Sequence, residues 1–219
     1  GADANTCSIA QPCRSFAAAL GKTAAEGEII VLDSAGYGAV IINQSVAIIA
    51  PSGIYAGISV FSDDGIAING DATVNVVLRG LTINGLGGNV GIHLQQGARL
   101  HVEGCEVSNM AGDGISIEAD GAEVFVNDSI ARDNGGNGIG LIAAATVVID
   151  RLRSERNGNG VGASQGSLTV RDSAVSRNGF RGISMDTAVA GSTLVIEGTM
   201  IVGNGGDGVF AGTSGVALV

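Results

Sequence analysis

The chain has 219 residues, 37 of them Gly, with no Trp, two Tyr, five Phe and a formal net charge of −10 at pH 7. So few aromatics argue against a broad globular centre, while 45% apolar residues suit a narrow core of stacked aliphatic rows. The acidity argues against nucleic acid as a partner, because phosphate binding needs a basic surface, and no apolar run is long enough to insert into a membrane as a spanning helix.

The chain opens Gly1, Ala2, Asp3, without Met or a charged, apolar leader, and reads as a mature secreted form or a trimmed fragment. Cys7 and Cys13 are placed to form a local disulfide, with two free thiols as the alternative. A bridge there implies a secreted, periplasmic or cell-surface location. Cys105 reads as core. Residues 12 to about 24 read as the one good helix, with Pro12 in its first turn, Phe16, Ala19, Leu20 and Thr23 on one face, and Gly27 after its end. Residues 1–27 thus form an N-terminal coil and a helix that caps the first rung of a β-rich array.

From Glu28 the pattern turns to short β-rich runs at residues 29–32, 39–42 and 46–49, separated by Asp, Asn, Ser, Gly and Pro. A glycine followed by Ile or Val then recurs at Gly65, Gly91, Gly114, Gly138, Gly160, Gly182 and Gly208, at intervals of 26, 23, 24, 22, 22 and 26 residues. After each glycine, apolar and small residues alternate, as in Ile92-His93-Leu94 and Ile115-Ser116-Ile117, and a second alternating run and a third short one come after it. Three strands per repeat predict a solenoid of stacked triangular coils over residues 28–219, one domain, with an apolar strand at residues 215–219 left uncapped, which reads first as the cut edge of a longer repeat array and alternatively as a surface for self-association.

The helix residues Arg14 to Leu20, the run Gly27 to Leu32, Gly36-Tyr37-Gly38 and the Asn-Gly repeats resemble the pectate-lyase-like superfamily, in its bacterial β-helix repeat branch. The resemblance covers nearly the whole chain and implies an all-β, right-handed parallel β-helix. It also implies a polysaccharide-active enzyme (uronate lyase, glycoside hydrolase or epimerase), but the Ca²⁺-binding Asp set with a nearby Arg or Lys base, usual in such lyases, has no match here.

An Asn recurs in the turn before the glycine. Asn109, Asn134, Asn157, Asn178 and Asn204 are expected to stack as an amide ladder, with the left-handed backbone that Asn tolerates. Ten of the eleven basic residues are arginine. Arg132, Arg153, Arg156, Arg177 and Arg181 form a stripe that suits carboxylates or sulfates; the alternative is a charge ladder on a solvated face. Counted back from the turn Asn, one column holds Asn127, Asp150, Arg171 and Glu197, and the next Glu103, Asp128, Arg151 and Asp172. Acidic residues near the turns (Asp63, Asp64, Asp113, Glu118, Asp120, Asp133, Asp207) are weak candidates for Ca²⁺; otherwise no metal or cofactor is expected. His93 and His101 point outward from different strands and faces, with no third partner in view. No Ser-His-Asp order is legible, and the Gly-rich turns lack a nucleotide-binding context. The outward positions after each glycine are mostly Ser or Gly, giving a smooth face with little length for loops. These features favour an extracellular module, structural or weakly glycan-binding, over an enzyme that uses the arginine stripe.

Overall fold

The computed structural model describes residues 1–186, 189, 191–212 and 216–218, with side chains described up to residue 212. Among these the chain forms a right-handed parallel β-solenoid of about seven turns with three sheets. Sheet I has nine strands, from Gly27–Ile30 to Val216–Leu218; sheet II has eight, from Ala35–Gly36 to Met200–Val202; sheet III has eight, from Val40–Ile42 to Val209–Ala211. Each coil contributes one strand to each sheet, and successive coils pair in parallel register, as in Leu100↔Val124 and Val124↔Val147.

Alternation explains the core. Leu100 and Val102, Val124 and Val126, Val147 and Ile149, and Leu168 and Val170 point inward from sheet I and are almost fully buried. Ile92 with Leu94, Ile115 with Ile117, and Ile139 with Leu141 do the same from sheet III. A single cluster of buried side chains runs from Phe16 to Ile196. Each coil therefore buries its apolar rows only by stacking on its neighbours.

The helix is shorter than the sequence predicts: it spans Phe16–Leu20, with Ser15 as N-cap. Pro12 and Cys13 lie outside it because the preceding segment is tied into a hook. Asp3 Oδ1 accepts from Arg14 N and Ser15 N at 3.1 and 2.9 Å, and Cys7 is bonded to Cys13. Phe16 stacks on Tyr37 at 4.9 Å, so the short helix still covers the first rung. The expected apolar C-terminal edge at residues 215–219 falls partly outside the described residues, which exclude Gly215 and Val219; Val216–Leu218 pairs in parallel with Thr193–Glu197.

Between sheets II and III the amide ladder runs through Asn134, Asn157, Asn178 and Asn204. Asn157 Oδ1 accepts from Asn134 N and Nδ2 at 3.1 and 2.9 Å, and Asn178 Oδ1 accepts from Asn157 N and Nδ2 at 2.9 and 3.2 Å. Asn204 repeats the pattern for Asn178. Asn109 lies outside this ladder. Its place is taken by Met110, whose backbone N–H donates to Asn134 Oδ1, while Asn109 faces outward and donates to Asn84 Oδ1 at 2.6 Å. The left-handed residue of the turn is Asn109 as expected in its coil, but in the next four it lies one place before the Asn, at Asp133, Arg156, Arg177 and Gly203. The same one-residue slip displaces Glu103, which pairs in register with Asn127 rather than joining Asp128, Arg151 and Asp172.

Candidate functional site

Four of the five stripe arginines already face carboxylates. Arg132 Nε donates to Glu106 Oε1 at 2.8 Å and its Nη1 to Asp133 Oδ2 at 2.8 Å. From the next coil, Arg156 clamps the same Asp133 through Nε at 2.7 Å and Nη2 at 3.0 Å, and lies 2.9 Å from Glu155. Arg153 is 3.6 Å from Glu155. Arg181 pairs with Asp186 and Asp207, and its guanidinium lies 3.7 Å above the Phe210 ring. Only Arg177 has no carboxylate partner among the described residues; it lines a shallow cavity of about 300 Å³ with Arg153, Met200 and Val202. The cause is geometric. Stacked strands lie about 4.8 Å apart, so a guanidinium reaches the coil beside it. Hydrogen bonds from Arg156 hold the Asp133 carboxyl below its usual range. Most bidentate forks that an anion would use are thus filled from within.

The outer face of sheet III is different. Its central column runs Ala67, His93, Ser116, Gly140, Gly162, Ser184 and Phe210. The residue before each repeat glycine forms a second column, mostly polar: Asp64, Asp113, Asn137, Asn159, Arg181 and Asp207, interrupted by Val90. Asn137 Nδ2 donates to Asp113 Oδ1 at 3.1 Å, Asn159 Nδ2 to Asn137 Oδ1 at 3.1 Å, and Arg181 N to Asn159 Oδ1 at 3.1 Å. These side chains lie flat over the glycines. A Cβ at Gly140 would stand 2.3 Å from Asp113 Oδ2, and one at Gly162 would stand 2.6 Å from Asn137 Oδ1. The face is therefore flat and polar.

At one end of this face His93 has two carboxylate neighbours. Its Nδ1 is 2.6 Å from Asp64 Oδ2, and its Nε2 is 3.0 Å from Glu118 Oε1. The second contact is close but off-line: Nε2 is buried and has no hydrogen-bond partner. Ser116 Oγ donates to Glu118 Oε1 at 3.4 Å. His93 and Asp64 side chains are 12% and 15% exposed, against 43% for Glu118. Beside Glu118 opens a polar cavity of about 330 Å³, lined in part by Gln95, Gln96 and Asp120. His101 lies on sheet I, 3.7 Å from Glu103 and tilted against Phe125.

The amino-acid order alone leaves His93 without partners because they come from the coils on either side. The signal is nonetheless present: Asp64 directly precedes a repeat glycine, and Glu118 follows the inward Ile117, so aligning those two columns brings both to His93. Of the acidic residues considered for Ca²⁺, Glu118 and Asp120 share one cavity and the others are engaged elsewhere. Asp64 serves His93, Asp113 serves Asn137, Asp133 two arginines, and Asp207 pairs with Arg181.

A family profile described as a right-handed beta helix region matches residues 28–167 and 64–219. The chain belongs to this right-handed β-helix family. Among solved structures it is similar to the crystal structure of pectate lyase Pel9A, with a TM-score of 0.59 and 16% identity over 90% of this chain and 50% of that one. This likeness is one of fold, and the β-helix chain spans about half the length of the lyase. No curated protein matches it. In this β-helix the outer face of sheet III and the cavity at its His93 end are places where polar groups gather without long loops.

Proposed function

We propose that the protein is an extracellular β-helix module that binds glycan chains along the outer face of sheet III. The observation that carries this reading is the flat polar column from Asp113 through Asn137 and Asn159 to Arg181, lying over Gly140 and Gly162. Amides and carboxylates suit sugar hydroxyls. Ile142, half exposed just after the strand Asn137–Leu141, and Phe210, whose ring carries the Arg181 guanidinium, are apolar side chains on this side that could meet a sugar ring. The Cys7–Cys13 disulfide supports a location in an oxidising compartment, and the fold likeness to a pectate lyase supports a polysaccharide as the ligand class. The test is affinity electrophoresis against a polysaccharide panel. Retardation by at least one polymer, reduced in Ile142→Ala and Phe210→Ala, is expected; unchanged mobility across the panel rejects the reading.

One observation favours a second reading, an acid–base enzyme acting on the same glycan: the short contact between Asp64 and His93. It takes little support from the arginine stripe, most of which is paired. New reducing ends or unsaturated products that vanish in His93→Ala would support it, and unaltered polymer after long incubation would reject it.

A further inference from the structure

We propose that the cavity beside Glu118 binds one sugar residue that carries no negative charge, neutral or amino-substituted, and that His93 senses its arrival through Glu118. The inference rests on the glycan reading for its ligand class, but not on the long face for its site.

Three observations converge. The pairing of Ile66–Asn69 with Ile92–Gln96 shifts register between Ile68 and Asn69: Ile68 pairs with Leu94 and Asn69 with Gln96. Gln95 is thus an extra residue, and such bulges re-aim side chains. Here the shift puts both Gln95 and Gln96 on the rim of one cavity of about 330 Å³, which is the scale of a small polar ligand.

Second, polar groups there are left over. Among the described residues, Glu118 Oε2, Asp120 Oδ2 and the Gln96 side-chain amide have no hydrogen-bond partner, although Glu118 Oε1 receives Ser116 Oγ and Asp120 Oδ1 receives Ala144 N. By contrast, the side-chain amides of Asn134, Asn137, Asn157 and Asn159 donate to the neighbouring coil. Amide donors and free carboxylate oxygens around a concave surface fit hydroxyl or ammonium groups.

Third, the site is anionic and has no cation of its own. Glu118 and Asp120 both line it. Arg79, Arg99 and Arg132, on other sheets of nearby coils, are held by Glu103, Glu123 and Glu106. A uronate would bring a further carboxylate against these two without a guanidinium to meet it, whereas a neutral sugar brings none and an amino sugar brings the opposite sign.

The buried Nε2 of His93 supplies the readout. Glu118 Oε1 stands 3.0 Å away but off the hydrogen-bonding direction, while Asp64 anchors the opposite nitrogen. A hydroxyl or ammonium that donates to the exposed Glu118 carboxylate draws it toward the cavity and changes what faces Nε2. An unsatisfied buried group of this kind calls for an explanation, and a ligand-coupled carboxylate provides one.

The experiment is imidazole ¹⁵N NMR of the full chain titrated with neutral tetrasaccharides of glucose, galactose, mannose and xylose, a glucosamine tetramer, and tetragalacturonate. At least one non-acidic tetramer should shift the His93 Nε2 resonance saturably, while tetragalacturonate at the same concentrations should not. Gln96→Ala should weaken that binding about tenfold, as expected for a lost hydrogen bond in a small site. Glu118→Gln should abolish the His93 response with the unfolding midpoint unchanged. No shift with any non-acidic tetramer, or a larger one with tetragalacturonate, overturns the proposal. Ile142→Ala and Phe210→Ala separate the two readings. A His93 response kept while polymer retardation is lost in the wild type sinks the long face alone; retardation kept without any His93 response sinks the cavity alone.

Discussion

The two polar ladders of this β-helix, one in the turns between sheets II and III and one on the outer face of sheet III, use the same residue types to different ends. The ladder from Asn134 to Asn204 is inside, almost fully buried at Asn134, Asn157 and Asn178 and half-buried at Asn204, and each rung bonds the next. The outer column of sheet III is also internally bonded through its middle, but it ends at His93 and Glu118 with atoms unused. In a repeat protein, then, a polar column is structural where every coil repeats it. Function is sought where a coil departs from the pattern. The departure here lies beside an irregularity, the extra residue at Gln95.

The largest effect should come from breaking the inner ladder. Asn157→Ala strands the N–H and amide of Asn134 and removes a donor to Ala131 O, so a loss on the order of 3 kcal/mol is expected in urea unfolding. Asn109→Ala, outside the ladder, gives up an exposed hydrogen bond and puts Ala at a left-handed position, so it should cost about 1 kcal/mol. Equal losses would erase the distinction between the two asparagines.

Next comes the capped end. Burial and the hydrogen bond to Asp33 push the Tyr37 hydroxyl up to about 12. The folded state therefore binds this proton more tightly than the unfolded state, whose tyrosine titrates near ~10. Stability should be fully present below pH ~10 and fall as pH rises towards 12. Tyr37→Phe should flatten that slope, at a cost of about 1 kcal/mol at neutral pH for the lost hydrogen bond. An unchanged alkaline slope in the variant would assign it elsewhere.

The ion-pair face should matter less. Asp133 and Asp128 are held below the usual carboxylate range by Arg156 and Arg151 respectively, so their contribution is present above pH ~4 and lost as pH falls further. Because these pairs are largely exposed and screened, Arg156→Ala should cost much less than Asn157→Ala, and less still in high salt. A loss as large as that of Asn157→Ala would place real stability on this surface.

Smallest is the stability effect of the leftover groups. Glu118→Gln and Gln96→Ala should each change the unfolding free energy by less than about 0.5 kcal/mol. A larger loss would mark them as structural rather than ligand-facing.

Much of this was legible from residues alone. The intervals between repeat glycines set the coil length, and the alternation at Ile92, Leu94, Leu100 and Val102 marked the inward rows, because a strand buries every second side chain. Asn134, Asn157, Asn178 and Asn204 were readable as one column for the same reason. Asn109 was misplaced by one residue, since identity of type is no guide to register when Met110 fills the ladder position. The helix was overextended because Pro12 suits a first turn locally, whereas Asp3 and the Cys7–Cys13 bridge hold that segment in a hook.

Periodic one-dimensional information thus carried the architecture: a solenoid repeats the same local environment, so alternation and spacing are enough to state which side chains go in. What stacking alone decided was the partnership between coils. Whether Arg156 meets an anion or Asp133, and whether His93 stands alone or between Asp64 and Glu118, depends on contacts between residues more than twenty positions apart. A one-residue insertion such as Gln95 shifts the register of a strand pair while leaving the glycine-isoleucine pattern nearly untouched.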